Sequence, residues 1–184
     1  MDSGKVPGFH VCGFYGIMAL TNPGSPGNAE VYMKAAVVYY SRSGVTKKIA
    51  EKVQAKFNAD MVFVEPEKAY GNFAASIIRV IREKKGKKNP APKTPATDFS
   101  AYDTVFIGFP VWAATIPDFL QEYIRRADLA GKRVIPFATA GNNGREESLA
   151  ALKALLPDSE ITDYFYTSMK EPADADAWLE GIRE

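Results

Sequence analysis

The sequence holds one cysteine, Cys12, and one histidine, His10, too few for several common kinds of site. A lone cysteine cannot form an internal disulfide, and one residue of each type leaves no pair for a metal site or a Cys–His nucleophile. We therefore predict a reducing, cytoplasmic location, no metal ion and no centre built on a Cys–His pair.

The chain also lacks an excess of charge of either sign. It has 23 Lys and Arg against 22 Asp and Glu, a formal net charge of +1. This balance gives no general attraction to nucleic acid or to a strongly anionic membrane. The apolar stretch from Phe9 to Leu20 is too short to span a bilayer as a helix. We therefore expect no nucleic-acid partner and no membrane partner.

Residues 1–32 differ in composition from the rest of the chain. Glycines and prolines interrupt any periodicity there, and Lys5 with the apolar stretch that follows only faintly resembles a secretory signal. We interpret residues 1–32 as an irregular N-terminal extension, with Met33 as the functional start. A single domain is expected over residues 33–184.

From Met33 onward, apolar runs alternate with segments of helical periodicity. The predicted strands are Ala35–Tyr40, Met61–Val64, Thr104–Phe109, Val134–Ala138 and Ile161–Thr167. Regular alternation of strand and helix implies right-handed crossovers. The fold class is therefore α/β, a three-layer sandwich in which a five-stranded parallel sheet carries helices on both faces.

Three unusual loops, residues 41–46, 110–115 and 139–144, follow the first, third and fourth predicted strands. In a sheet of order 2-1-3-4-5 these strands are adjacent, so the loops would converge on one crevice at the carboxyl ends of the strands. In the first loop, Ser41, Ser43 and Thr46 offer hydroxyls beside Gly44 at a helix N-terminus, which suits a terminal phosphate. Helix capping alone is the alternative interpretation.

The three loops together resemble those of the flavodoxin-like family. Residues 41–46 are similar to its phosphate loop, residues 108–112 to the segment that places an aromatic side chain against a flavin, and residues 139–144 to its second isoalloxazine loop. The resemblance extends from Met33 to the C-terminus and implies non-covalent FMN. The cofactor-binding residues that it implies are Ser41, Arg42, Ser43, Gly44, Val45, Thr46, Pro110, Val111, Trp112, Ala113, Thr139, Ala140, Gly141, Asn142, Asn143 and Gly144.

Two departures from electron-carrier flavodoxins favour an enzyme. The loop at 139–144 has no aromatic residue, so Trp112 is the evident stacking candidate, and the chain is not markedly acidic. Trp112 could instead fill a crevice, and Gly141–Gly144 could be only a tight turn. The resemblance then implies an FMN-dependent NAD(P)H oxidoreductase acting on a quinone or similar acceptor. In such an enzyme the flavin carries the redox step, so no catalytic side chain is expected.

Two alternatives to the enzyme stay open. One is a flavodoxin-type carrier that passes electrons between protein partners, and the other is a protein that kept the fold and lost the flavin. A homodimer is expected by analogy with the family.

Other proteins of similar architecture do not fit these residues. A response-regulator receiver needs acidic residues where Tyr40-Ser41 and Phe109-Pro110 stand. Residues 40–46 match neither the phosphate-loop nucleotidase motif nor the dinucleotide-binding glycine motif. A tyrosine phosphatase of low molecular weight needs a cysteine in this loop, and Cys12 lies elsewhere.

Overall fold

The computed structural model describes residues 33–71, 78–83, 86, 90–141, 143–170 and 173–183. The predicted extension, residues 1–32, lies outside the described residues. The strands are β1 (Ala35–Tyr39), β2 (Asp60–Phe63), β3 (Thr104–Pro110), β4 (Arg133–Ala140), β5 (Glu160–Ile161) and β6 (Phe165–Ser168). The helices with defined ends are α1 (Val45–Phe57), α2 (Asp118–Arg126), α3 (Arg145–Leu155) and α4 (Ala175–Gly181), and residues 78–83 are also helical.

The strands form one parallel sheet of order β2-β1-β3-β4-β5, with β6 also paired to β4. The predicted order 2-1-3-4-5 is confirmed. In the centre of the sheet, Val37 lies opposite Phe106, and Phe106 lies opposite Ile135. Since every residue of β1 and β3 is buried, these strands read as the continuous apolar runs that parallel sheets require.

The fifth predicted strand, Ile161–Thr167, is interrupted in the structure. It consists of β5 and β6, which both pair with β4. Between them, Asp163 has a φ of 52°, in the left-handed region that ends a regular strand. Its carboxylate pairs with the Arg133 guanidinium at 2.9 Å, and its carbonyl accepts a hydrogen bond from Trp178 Nε1 at 2.7 Å. These contacts from outside the strand fix the interruption.

The sheet has a hydrophobic core on each face. Alternate residues of β1 point to opposite sides, Ala36 and Val38 to one core and Ala35 and Val37 to the other. The first core includes α2 and α3, and the second includes α1 and α4. The prediction of helices on both faces is therefore confirmed. Within the described residues, no helix is both long enough and apolar enough to cross a membrane.

Candidate functional site

The loop between β1 and α1 is shaped by Gly44, which is the N-cap of the helix. Gly44 has a φ of 88°, and a Cβ added there would meet no atom within 4 Å. Its amide donates a hydrogen bond to Ser41 Oγ at 3.1 Å, which tightens the loop. No side-chain hydrogen bond caps this end of α1 among the described residues. The first-turn amides are therefore suited to an external anion, as helix N-termini commonly are.

Thr46, one residue into α1, connects this loop to the end of β4. Its side chain is 2% exposed, and its hydroxyl lies 2.8 Å from the hydroxyl of Thr139. This buried hydrogen bond ties the first turn of α1 to the end of β4 and satisfies both hydroxyls. The predicted contact of Thr46 with a phosphate stays a prediction, and the structure adds a bracing role to it.

The second loop contains a tight turn made by two alanines with positive φ. Ala113 has a φ of 48° and Ala114 a φ of 62°. The turn is closed by hydrogen bonds from Trp112 N to Thr115 O at 2.8 Å and from Thr115 N to Trp112 O at 3.1 Å. Such turns normally use Asn and Gly, since an L-residue in the left-handed region costs roughly 1–2 kcal/mol. The amides of Ala113 and Ala114 consequently lie at the tip of a strained turn.

Trp112 is half-buried and is held by an aromatic cluster. Its ring meets the rings of Tyr40 and Tyr70 edge-on, with centroids 5.6 Å and 4.7 Å apart, and lies 6.3 Å from that of Phe119. Burial raises the pKa of Tyr40, an effect that the Arg42 charge partly offsets. Burial also raises the pKa of Tyr70 well above its usual range, as does its hydrogen bond to Glu83. Both phenols, which are neutral at physiological pH even at their ordinary pKa, are thus weaker acids here.

The third loop packs against the second. Gly144 has a φ of 95°, and a Cβ added there would lie 2.7 Å from Val111 Cγ1 and 2.8 Å from Ala114 Cα. Tyr166 in β6 donates a hydrogen bond to the Asn143 carbonyl at 2.8 Å. Glycine at this position therefore permits the close approach of the two loops, and Tyr166 holds the adjoining backbone.

The other predicted residues of the third segment, residues 139–142, do not together form an exposed loop. Thr139 and Ala140 belong to β4 and are buried, so their side chains do not form an open loop. Gly141 is exposed, and Asn142 lies outside the described residues. The predicted contacts of these residues with a ligand stay predictions.

A cavity of about 560 Å³ joins the first two loops. Its lining comprises Arg42, Ser43, Val45, Val80, Ile81, Pro110, Val111, Trp112, Ala113 and Met169. The predicted residues in this set form a polar end and an aromatic flank, which suits a ligand that is anionic at one end and flat at the other. The volume is typical of a small-molecule site.

Three lining residues, Val80, Ile81 and Met169, were missed by the sequence analysis. Val80 and Ile81 are apolar residues of a helical segment, and apolar residues at helical spacing are typical of core packing as well as of a binding site. Met169 directly follows β6, and its position at a strand end was the available signal. These side chains form the wall of the cavity contributed by segments outside the three loops.

The chain is similar in sequence and in fold to known flavoproteins. The sequence profile of the flavodoxin family matches residues 34–182 of the chain. A comparison with curated proteins gives no match. A candidate flavoprotein from Bacteroides uniformis is 25% identical, with a TM-score of 0.71 over 83% of this chain and 99% of that one. A candidate flavoprotein from Bacteroides eggerthii is 29% identical, with a TM-score of 0.67 over 80% and 94%.

A third solved structure is a flavoprotein from Lactobacillus acidophilus in complex with FMN. It is 19% identical to this chain, with a TM-score of 0.64 over 80% of this chain and 99% of that one. At this identity the likeness shows a shared fold.

Proposed function

Because the chain belongs to the flavodoxin family, we propose that it binds FMN and transfers electrons from NAD(P)H to a quinone or similar small acceptor. The observation that carries this proposal is the cavity that joins Arg42 and Ser43 to the turn at Trp112. FMN has a phosphate at one end and a flat aromatic ring at the other. The polar and aromatic ends of the cavity are divided in the same way.

The phosphate end of FMN fits the loop at residues 41–46. Gly44 leaves open space where a side chain would otherwise stand, so the backbone of the loop can approach a phosphate closely. The uncapped first turn of α1 supplies amide donors and partial positive charge. Arg42 and Ser43 line the cavity at this end. In this proposal Ser41, Arg42, Ser43, Gly44, Val45 and Thr46 hold the phosphate.

In this proposal the ring of FMN lies in the cavity against the second loop, which the third loop supports from its other side. Trp112 offers an aromatic side chain that its own cluster already holds in place, which lowers the entropy lost on binding. The strained turn carries the backbone amides of Ala113 and Ala114 at its tip, and amides are suitable donors to the polar edge of a flavin. The ring contacts proposed are Pro110, Val111, Trp112 and Ala113 of the second loop and, in the third segment, Gly141, Asn142 and Asn143. The buried Thr139, Ala140 and Gly144 support these loops from behind.

When bound, FMN supplies the chemistry that accepts two electrons with a proton and passes them on. The overall reaction is NAD(P)H + H⁺ + quinone → NAD(P)⁺ + hydroquinone, in which the nicotinamide is oxidised, the quinone is reduced and the additional proton comes from solvent. The protein orients the ring through Trp112 and keeps the neighbouring phenols of Tyr40 and Tyr70 neutral. Nothing in this reaction requires an acid or base among the side chains that line the cavity.

A titration of the purified protein with FMN tests the binding step. The wild type is expected to bind FMN with a shifted visible spectrum, and Ser43→Ala to bind it more weakly by about 10- to 100-fold, the loss of one hydrogen bond to a charged group. Ser100→Ala, at an exposed turn of the chain outside the cavity lining, is the control and is expected to bind like the wild type. Absence of FMN binding in the wild type would refute the proposal.

Steady-state oxidation of NAD(P)H in the presence of a quinone then separates an enzyme from a carrier. Rapid turnover by the FMN-loaded protein alone supports the oxidoreductase. Bound FMN without turnover, together with electron exchange with a redox protein, would refute the oxidoreductase and support a flavodoxin-type electron carrier.

A further inference from the structure

The cavity has a second wall whose chemistry differs from that of the three loops. Resting on the proposed function, the geometry points to a separate acceptor subsite formed by Val80, Ile81 and Met169, which selects a small, uncharged, apolar electron acceptor. The three side chains come from the helical segment 78–83 and from the residue after β6.

The wall is apolar and yet accessible. Among the described residues, the large hydrophobic side chains that are exposed are Phe63, Ile78, Ile81 and Met169. Ile81 is 47% exposed and Met169 37% exposed, and both line the cavity. An exposed apolar cluster at the mouth of a cavity commonly marks a binding surface, because burying it on a ligand is favourable.

The charge of the lining separates this wall from the phosphate end. Arg42 is the charged residue in the lining, and it belongs to the first loop together with Ser43. A charged acceptor against Val80, Ile81 and Met169 would lose hydration without gaining an ionic partner there. The wall therefore favours an uncharged acceptor.

A cluster of Tyr70, Arg79 and Glu83 holds the wall in place. Arg79 Nε donates to Glu83 Oε1 at 2.6 Å, and Tyr70 OH donates to Glu83 Oε2 at 2.8 Å. Arg79 Nη1 also donates to the Lys68 carbonyl at 2.6 Å, and its guanidinium lies 3.9 Å from the centre of the Tyr70 ring. The segment that carries Val80 and Ile81 is thus attached on both sides of those residues.

Tyr70 connects this cluster to the proposed flavin site. Its ring is 4.7 Å from that of Trp112, the residue expected to flank the flavin. The acceptor wall and the flavin-contacting tryptophan are therefore positioned by the same side chain. Such sharing couples the position of the wall to that of Trp112, which favours a preorganised site.

The apolar chemistry of the wall and its place in the flavin cavity point to the occupant. The wall shares one cavity of about 560 Å³, the size of a small-molecule site, with Arg42, Ser43 and Trp112. A small apolar acceptor fits a cavity of this size and lining. Binding of a second copy of the chain or of a partner protein to the same wall is the alternative that the experiment distinguishes.

The experiment compares Ile81→Ser with Ile78→Ser in the FMN-loaded protein. Ile78 is 55% exposed, lies one helical turn earlier in the same segment and does not line the cavity, so it is a matched control. Menadione is the neutral acceptor and 1,2-naphthoquinone-4-sulfonate the charged one. The measurements are equilibrium binding of menadione followed by tryptophan fluorescence in a Trp178→Phe background, KM for both acceptors, FMN affinity and molecular mass.

Ile81→Ser is expected to weaken menadione binding and raise its KM by about 5- to 20-fold, with FMN affinity unchanged. The preference for menadione over the sulfonate should narrow in the same variant, while Ile78→Ser should match the wild type. Equal behaviour of the two variants, or a wild-type preference for the sulfonate, would overturn the subsite while leaving the proposed function intact. Dissociation of a dimer by Ile81→Ser, without a change in acceptor binding, would overturn it in favour of a subunit contact. Failure of the wild type to bind FMN would instead refute the proposed function, and the subsite with it.

Discussion

Replacing Gly144 with alanine tests whether the second and third loops are built against each other. Gly144 has a φ of 95°, and an added Cβ would lie 2.8 Å from Ala114 Cα, a backbone atom of the strained turn. The turn cannot yield without losing its closing hydrogen bonds between Trp112 and Thr115. We therefore expect Gly144→Ala to displace the turn and to destabilise the fold.

The magnitude has three parts. Placing alanine at this φ costs roughly 1–2 kcal/mol, and forcing a methyl group into an occupied space costs about 1–3 kcal/mol. The reduced entropy of the unfolded chain returns about 0.4–1 kcal/mol. The net loss in the free energy of unfolding is therefore expected to be about 1–5 kcal/mol, with a central value of about 3 kcal/mol.

Two other glycines separate these contributions. Gly44 is also a helix N-cap with positive φ, 88°, but an added Cβ would meet nothing within 4 Å. Gly141 has neither a positive φ nor a neighbour within that distance. Gly44→Ala should therefore lose only about 1 kcal/mol, and Gly141→Ala should be close to neutral.

Urea denaturation of the three variants, followed by circular dichroism, measures these differences. An FMN titration of the same proteins should show weaker binding by Gly144→Ala, because its turn carries Ala113. If Gly144→Ala loses no more stability than Gly44→Ala, the two loops do not press on each other as described, and the reasoning is refuted.

Three further predictions concern groups around the site. Thr46→Val should lose about 1–2 kcal/mol of stability because it leaves the buried Thr139 hydroxyl without its partner. The double variant Thr46→Val/Thr139→Val should recover most of the lost stability. If the stability losses of the two single variants simply add in urea denaturation, the two hydroxyls do not interact. Burial raises the pKa of Tyr164 to about 12. Because the folded state then holds the proton more tightly than the unfolded chain, stability should fall as pH rises from about 10 to about 12. Tyr164→Phe should reduce this loss of stability between about pH 10 and 12, and an unchanged pH profile would show that Tyr164 is not its source. Glu83→Gln weakens the contacts to Arg79 and Tyr70, so amide exchange in residues 78–83 should accelerate. Unaltered exchange would show that the cluster does not hold the wall.

Much of the framework was predictable from the sequence. The order of the sheet and the helices on both faces follow from the alternation of continuous apolar runs, such as Ala35–Tyr39, with amphipathic segments. The proximity of the first two loops follows from the adjacency of β1 and β3. These features depend on local patterns and on topological rules that hold for parallel sheets generally.

Other features depend on contacts between segments far apart in the chain. The turn at Ala113 and Ala114 carries no Asn or Gly, so its positive φ values have no local signal. The wall of Val80, Ile81 and Met169 forms only when the helical segment and the end of β6 come together in three dimensions. In the sequence, Val80 and Ile81 look like ordinary core residues of a helix. The interruption of the fifth strand at Asp163 depends on contacts with Arg133 and Trp178. The pattern of apolar residues within the strand itself gives no sign of these contacts.

The most direct test of the central claim is the fluorescence of bound FMN in Trp112→Phe and Trp178→Phe, the chain having two tryptophans. Trp112 lines the cavity, whereas Trp178 stacks on Phe165 with centroids 4.8 Å apart and packs with the α1 and α4 core. Contact with an indole quenches flavin emission, so FMN should be dim in the wild type and in Trp178→Phe and clearly brighter in Trp112→Phe at saturation. Equal brightness in all three proteins would contradict the placement of the flavin against Trp112.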